Sequence, residues 1–180
     1  MQSKMYQWLR AHRKAVFGHG LVLSAFLIFC VFFSPPLFDS LEAVEGESQM
    51  LDIALPQETG NIVCCLHDVQ MGSQITEVHG WAFIDGQSTE GIKTYIVLES
   101  DEVRYIFDTV TQVRPDVTAA YGSPDLDLGH SGFVCNLPTR KIAIGEYVLG
   151  IYITKDTTEA FQRTVYLLVK SDGGMELAGG

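Results

Sequence analysis

The residues of this sequence whose types can do chemistry lie in a few short stretches, and the first is Arg114-Pro115-Asp116-Val117. A guanidinium and a carboxylate two residues apart can serve in two ways. Pro115 fixes its own φ and drives Arg114 out of helical geometry, while Asp116 can cap the N–H groups that follow and pair with Arg114, which makes a structural corner. Left unpaired, Arg114 would instead bind a carboxylate or phosphate ligand. A corner is expected. Downstream, Asp125, Asp127, Gly129 and His130 fall in SPDLDLGHSG, where alternating acids offer oxygen ligands to calcium. A dedicated calcium loop brings a third acid and a bidentate glutamate at fixed spacing, and neither follows, so a solvated turn is expected.

His67, Asp68, His79 and His130 carry metal-ligating side chains, yet their spacing commits them to no common centre, and neither a metal nor another cofactor is implied. Nucleophilic catalysis would call for a serine or cysteine on a strained turn beside a histidine. No G-x-S-x-G string occurs, and His130-Ser131 are neighbours in sequence only. The 22 acidic residues single out no pair for glycoside hydrolysis. Leu137-Pro138-Thr139-Arg140 lacks the glycine of a sortase signal and reads as a strand-exit loop. For binding rather than catalysis, Trp81, Tyr105 and Tyr121 are candidates for an exposed aromatic platform.

Cys64, Cys65 and Cys135 raise a separate question. On a strand, Cys64 and Cys65 point to opposite faces, so at most one of them can form a disulfide with Cys135, leaving the other free or paired between molecules. Three buried thiols are the alternative.

These residues need strands to position them. From Asn61 to Lys170, short runs of β-branched and aromatic residues alternate with Gly, Asp, Ser and Pro, the pattern of an all-β, immunoglobulin-like antiparallel sandwich of about seven strands. The runs are 62–70, 75–84, 92–99, 103–110, 132–137, 146–154 and 162–169, and none of the chain beyond residue 60 reads as a ten-residue amphipathic helix. Ser100-Asp101-Glu102 is short enough to join the third and fourth runs as a hairpin. Alternation places Ile92, Thr94, Ile96 and Leu98 on one face, expected inside with Val78, Gly80, Ala82 and Ile84, although Tyr95 and Trp81 on the opposite faces leave the register open. Residues 61–170 are expected to fold alone, with 34–60 as an acidic, proline-containing linker and 171–180 as a flexible tail.

The chain has 180 residues and a formal charge of −10, but the average conceals two unlike parts. Residues 1–38 hold Lys4, Arg10, Arg13 and Lys14 and no acid; residues 39–180 hold 8 basic residues against all 22 acidic ones, a net of −14. That surplus repels phosphates and argues against a nucleic-acid partner. Residues 15–33, AVFGHGLVLSAFLIFCVFF, carry no charge, and a helix of that length spans about 28 Å, close to a bilayer's hydrocarbon core. The basic residues of 1–14 precede the run and acids follow it, so a single-pass anchor with a cytoplasmic N-terminus and an extracytoplasmic β-domain is expected. A cleaved signal peptide is the competing reading, but Ser34-Pro35-Pro36-Leu37 lacks an A-x-A-like site. Cys30 follows Phe29 rather than a small residue and is read as packed in the helix, as is His19 near its end.

Four strings stand in order within this region: Gly80-Trp81-Ala82-Phe83, Arg114-Pro115-Asp116-Val117, Ser131-Gly132-Phe133 and Gly145-Glu146-Tyr147. Together they resemble the small β-sandwich module (G-W-A, R-P-D-V, S-G-F, G-x-Y) appended to bacterial surface-glycan glycosyltransferases and acyltransferases. The resemblance spans about residues 60–170 and implies a sandwich in a cell-surface setting, with no catalytic residues attached to it. The module here stands behind an anchor with no transferase in the chain. Read without that family, Gly132 marks a close approach at a strand start, and Gly145 before Tyr147 marks a corner where a tyrosine hydroxyl bonds back to backbone.

Two functions of different classes follow. The first is a tethered, non-catalytic sandwich that binds a cell-surface glycan or an envelope protein. The second is an extracytoplasmic enzyme acting on envelope glycans, with its site in loops near Arg114 and His130. An exposed aromatic strip favours the first; a deep polar pocket joining Arg114, Asp116 and His130 favours the second. The charge step predicts that residues 15–33 stay attached: protease treatment of intact cells should remove the β-domain, and mass analysis of the membrane fraction should find the uncleaved N-terminus.

Overall fold

The computed structural model describes residues 46–72 and 74–178, besides the isolated position Phe26. The chain divides into two compact units, Met1–Glu45 and Gly46–Gly180. The expected basic segment 1–14, the anchor 15–33 and the linker up to residue 45 lie outside the described residues. Among the described residues no helix is long and apolar enough to cross a membrane.

The second unit is all-β and sandwich-like. Its elements in chain order are β1 (Met50–Leu51), β2 (Ile62–Met71), β3 (Ile75–Ile84), β4 (Lys93–Glu99), β5 (Arg104–Asp108), β6 (Val110–Gln112), helix α1 (Pro115–Tyr121), β7 (Gly132–Pro138), β8 (Gly145–Lys155), β9 (Thr158–Ser171) and β10 (Gly174–Ala178). They form a six-stranded sheet in the order β1-β5-β4-β8-β9-β10 and a four-stranded sheet in the order β2-β3-β7-β6. All pairings are antiparallel. Six of the seven runs drawn from alternation are each a strand, the fourth, 103–110, divides between β5 and β6 in different sheets, and α1 is only seven residues long.

The inner faces meet as alternation requires. Ile96, Leu98, Val78 and Ala82 are fully buried in one cluster with Phe107, Phe133 and Leu149. Gly80 is there because Phe133 needs its place: a Cβ on Gly80 would lie 2.8 Å from the Phe133 ring and 2.6 Å from the Cys65 carbonyl oxygen. The expected tyrosine corner is present, with the Tyr147 hydroxyl donating to the Ala143 carbonyl at 2.9 Å.

What alternation left open is settled by the outer faces, which are also covered. Outside the four-stranded sheet, Trp81 and Phe83 pack with Val117 of α1 and Leu128 of the following loop. Outside the six-stranded sheet, Val97, Ile106, Tyr152 and Phe161 form a third cluster with Ile53, Leu55 and Tyr95. Strands buried on both faces lose the apolar-polar alternation that fixes register from sequence.

Two boundaries differ from expectation. Residues 46–60 are not a free linker but a strap along the domain: Ser48 N donates to Asn136 O at 2.9 Å, β1 pairs with β5, and Thr59 N donates to Phe161 O at 2.8 Å. The expected tail is β10, in register with β9 and burying Met175 to 3% exposure. The packed domain therefore extends beyond residues 61–170 at both ends. Removing the strap strips Ile53 and Leu55 from the outer cluster, and a chain beginning at 61 should lose about 3 kcal/mol or more relative to one beginning at 46, read from urea midpoints.

Candidate functional site

Arg114-Pro115-Asp116-Val117 builds a corner in which each residue is spent. Pro115 opens α1, and Val117 is 2% exposed against Trp81 and Phe83. The Arg114 guanidinium meets Asp116 fork to fork, Nε donating to Oδ1 at 2.8 Å and Nη2 to Oδ2 at 2.6 Å, while Arg114 N donates to Gly129 O at 2.7 Å. Its stem lies against Gly132, where a Cβ would come within 2.6 Å of Arg114 Cγ. The guanidinium beside Asp116 holds that carboxyl down to about 2. No free guanidinium remains here for an anionic ligand.

The loop Asp125–His130 is a turn docked on residues 88–89. Asp127 Oδ1 accepts from Gly129 N at 2.8 Å and from the Thr118 hydroxyl at 3.3 Å, and Asp127 O accepts from Thr89 N at 2.8 Å. His130 is exposed, anchored only through its backbone N to Thr89 Oγ1 at 3.0 Å. His79 Nε2 lies 3.1 Å from Glu77 Oε2, and His67 falls at the register shift between Leu66 and Asp68. Among the described residues no three His, Cys, Asp or Glu side chains come together as a metal site.

The aromatic platform does not form as drawn. Trp81, expected exposed, is 7% exposed, because α1 and Leu128 cover the face it occupies. Tyr121 is 54% exposed and lies on Trp81, ring centroids 5.2 Å apart, and beside Phe83 at 6.1 Å. Tyr105 is half-buried against Phe107 and Tyr147, its hydroxyl accepting from Ala143 N at 3.3 Å. Only Tyr121 of the three presents its ring to solvent.

Cys64, Cys65 and Cys135 are all free, so of the two alternatives it is the disulfide that is absent. Register explains why: Cys64 lies opposite Ala82 and Cys135 opposite Val78 on β3. Two strand spacings across and four residues along separate them by roughly 16 Å, and a disulfide needs Cα atoms within about 7 Å. Cys65 is three residues from that level and on the other face, among Trp81 and Leu126. Burial pushes the Cys135 thiol up to about 12 and raises Cys64 as well.

No sequence signal pointed to a cleft of about 540 Å³, lined by polar and apolar groups alike, which opens where the chain changes sheets. β5 ends at Asp108, and β6 crosses to pair with β7, Val110 opposite Val134. β4 thus loses its neighbour beyond Tyr95, whose partner is Asp108, and the Thr109 hydroxyl donates to Thr94 O at 2.7 Å in place of a ladder bond. Lys93 and Tyr95 of β4, Asp108, Thr111 of β6, and Gln49 and Leu51 of the strap line the gap. The Tyr95 ring is stacked on Tyr152 with centroids 5.4 Å apart, and Asp108 exchanges bonds with the Gln49 backbone, donating its own N–H to Gln49 O at 3.0 Å and accepting Gln49 N–H on Oδ1. Among the described residues Lys93 is the one Lys or Arg side chain with neither an ion-pair nor a hydrogen-bond partner. These residues come from four segments between 49 and 111, and no local motif joins them.

A second cleft of about 420 Å³ is lined by Glu99, Asp101, Glu146 and Arg163 among others. Burial opposes ionisation of Glu99, but hydrogen bonds from Arg104 and Arg163 outweigh it and hold the carboxyl below its ordinary range. Neither cleft is lined by Arg114, Asp116 or His130. No protein-family model, curated protein or solved structure matches the chain.

The Arg114–Asp116 pair has a pH signature. A carboxyl held near 2 in the folded chain and near 3.8 without its partner adds stability at neutral pH that is lost as pH falls from about 4 to 2. Asp116→Asn should therefore lower the urea midpoint at pH 7 modestly, since solvent screens the pair, and the gap to wild type should close by pH 2.

Proposed function

We propose that this chain is a membrane-tethered, extracytoplasmic, non-catalytic module of immunoglobulin-like type that binds a cell-surface glycan. The observation that carries this reading is the cleft at the sheet crossing. Its lining mixes one ammonium, one carboxylate, an amide and several hydroxyls around a stacked tyrosine ring. A neutral sugar offers the complement: hydroxyls that donate and accept at once, and an apolar C–H face for an aromatic ring. The volume, about 540 Å³, falls within the range of small-ligand sites. The net of −14 over residues 39–180 disfavours an acidic polysaccharide, and one ammonium and one carboxylate, Lys93 and Asp108, in the lining leave the cleft itself near neutral.

The resemblance to the surface-glycan module supports the same setting, as does the charge step around residues 15–33. An envelope protein as the partner would call for a broad apolar surface; the exposed apolar side chains, such as Val110, Ile144 and Val165, fall on separate elements. An enzyme built on Arg114 would need a guanidinium not already held by Asp116.

The full-length chain in detergent, presented with neutral and acidic oligosaccharides, tests this reading. Neutral oligosaccharides should bind, and Tyr95→Ala should weaken binding about ten-fold or more, roughly 1.4 kcal/mol. Lys93→Ala and Thr111→Ala should weaken it less while leaving the urea midpoint at wild type. Binding confined to acidic sugars, or unchanged by all three substitutions, would overturn it.

A further inference from the structure

Two of the cleft's walls, Gln49 and Leu51, belong to the strap and not to the sheets proper. β1 has only two residues paired with β5, too few to hold an edge strand by themselves. The fastening lies just before it. The Glu47 side chain is 4% exposed, with Oε1 2.6 Å from Arg140 Nη2 and Oε2 accepting from Lys141 Nζ at 2.6 Å. Arg140 and Lys141 stand in the single 3-10 turn Thr139–Lys141 that follows β7. Ser48 and Asn136 are bonded twice, Ser48 N to Asn136 O at 2.9 Å and Asn136 N to Ser48 Oγ at 3.0 Å, and Asn136 Nδ2 donates to Gly46 O at 2.7 Å. Gln49 then exchanges backbone bonds with Asp108 on the cleft wall.

We infer that Glu47 is a positioning residue for the cleft: its two ion pairs dock residues 46–51, and only the docked strap completes the ligand site. The asymmetry of exposure supports this. Arg140 and Lys141 are 44% and 51% exposed and can return to water at little cost, so loss of the pairs falls on the strap, whose carboxylate is buried. Past Gln49, the strap holds to the cleft through β1 alone until Ile53 and Leu55 reach the outer cluster. By linkage, a ligand that touches Gln49 or Leu51 stabilises docking as much as docking strengthens the ligand. The ligand's identity as a neutral glycan rests on the reading above; the docking does not.

The experiment uses the full-length chain in detergent and compares wild type with Glu47→Gln and with the double variant Arg140→Gln Lys141→Gln, which removes the same pairs from the exposed side. Glu58→Gln, which breaks a pair with Arg163 at the strap's far end, is the control. Hydrogen exchange at the Ser48 and Asp108 amides should rise about ten-fold in both test variants and stay at wild-type rates in β8 and β9. Affinity for the tightest neutral oligosaccharide should fall about five-fold or more in the test variants and not in the control, and saturating that sugar should slow the same two amides in wild type. Unchanged exchange at Ser48 and Asp108, or exchange that rises throughout β8 and β9, would overturn the inference, as would wild-type affinity in both test variants. Faster exchange at the two amides with no oligosaccharide bound by wild type would sink the glycan reading and uphold the docking.

Discussion

The constraint on which this domain depends is that both sheets are apolar on both faces. A sandwich of ordinary kind buries its inner faces and leaves the outer ones to water, but here Trp81 and Phe83 on one outer face and Val97, Ile106, Tyr152 and Phe161 on the other must also be covered. Six buried side chains are together worth roughly 10 kcal/mol or more, about 1.5–3 each when fully removed from water. That is comparable to the net stability of a domain this size, so the coverings are part of the fold and not appendages to it. α1 with the loop to Leu128 is one cover and the strap is the other. The Arg114–Asp116 corner follows from the first: it turns the chain out of β6 so that Val117 can fall on Trp81.

Covering the two outer faces also accounts for where the cleft lies. The chain must leave the six-stranded sheet after Asp108 to reach the far side of the four-stranded one, and it does so within a single residue, Thr109. A ladder interrupted in that way leaves backbone and side-chain polar groups of β4 without a strand to satisfy them. Thr109 repairs one, the Thr94 carbonyl; the strap repairs others by bringing the Gln49 backbone to Asp108. What remains is a gap at the seam of a broken sheet, where Lys93, Tyr95 and Thr111 meet the apolar Leu51 and Ile92.

Inner-face packing was legible because its signals are local. Period-two alternation marked the inner faces of β3 and β4, Gly132 marked a close approach, made here by Arg114 and the Gln112 carbonyl, and Gly145 before Tyr147 marked the corner. The outer coverings were not legible, because a strand apolar on both faces carries no alternation, and Trp81 reads as exposed until α1 is set on it. β10 escaped for a different reason: GMELA is short, with three apolar residues, and only the long partner β9 gives them something to pair with. The cleft lay further out of reach. It joins Gln49, read as linker, to Tyr95 and Thr111 through a sheet switch inside a run that reads as one continuous strand from 103 to 110.

The charge distribution bears on how such a cleft would select. Of the eight cations in residues 39–180, Arg104, Arg114, Arg140, Lys141 and Arg163 are in ion pairs, and Lys155 and Lys170 donate to the carbonyls of Ser88 and Ser171. Among the described residues Lys93 alone keeps its donors free, and it does so within a cleft that also presents Asp108. At physiological ionic strength the domain's acidic surplus is screened beyond about 8 Å, so a ligand in the cleft meets chiefly that balanced pair. An anionic sugar would gain Lys93 and lose to Asp108, and it would be repelled on approach by the rest of the surface. A neutral one would be neither steered nor repelled, and any affinity would have to come from hydroxyl geometry and stacking on Tyr95, so that the placement of the Gln49 wall would weigh more than charge.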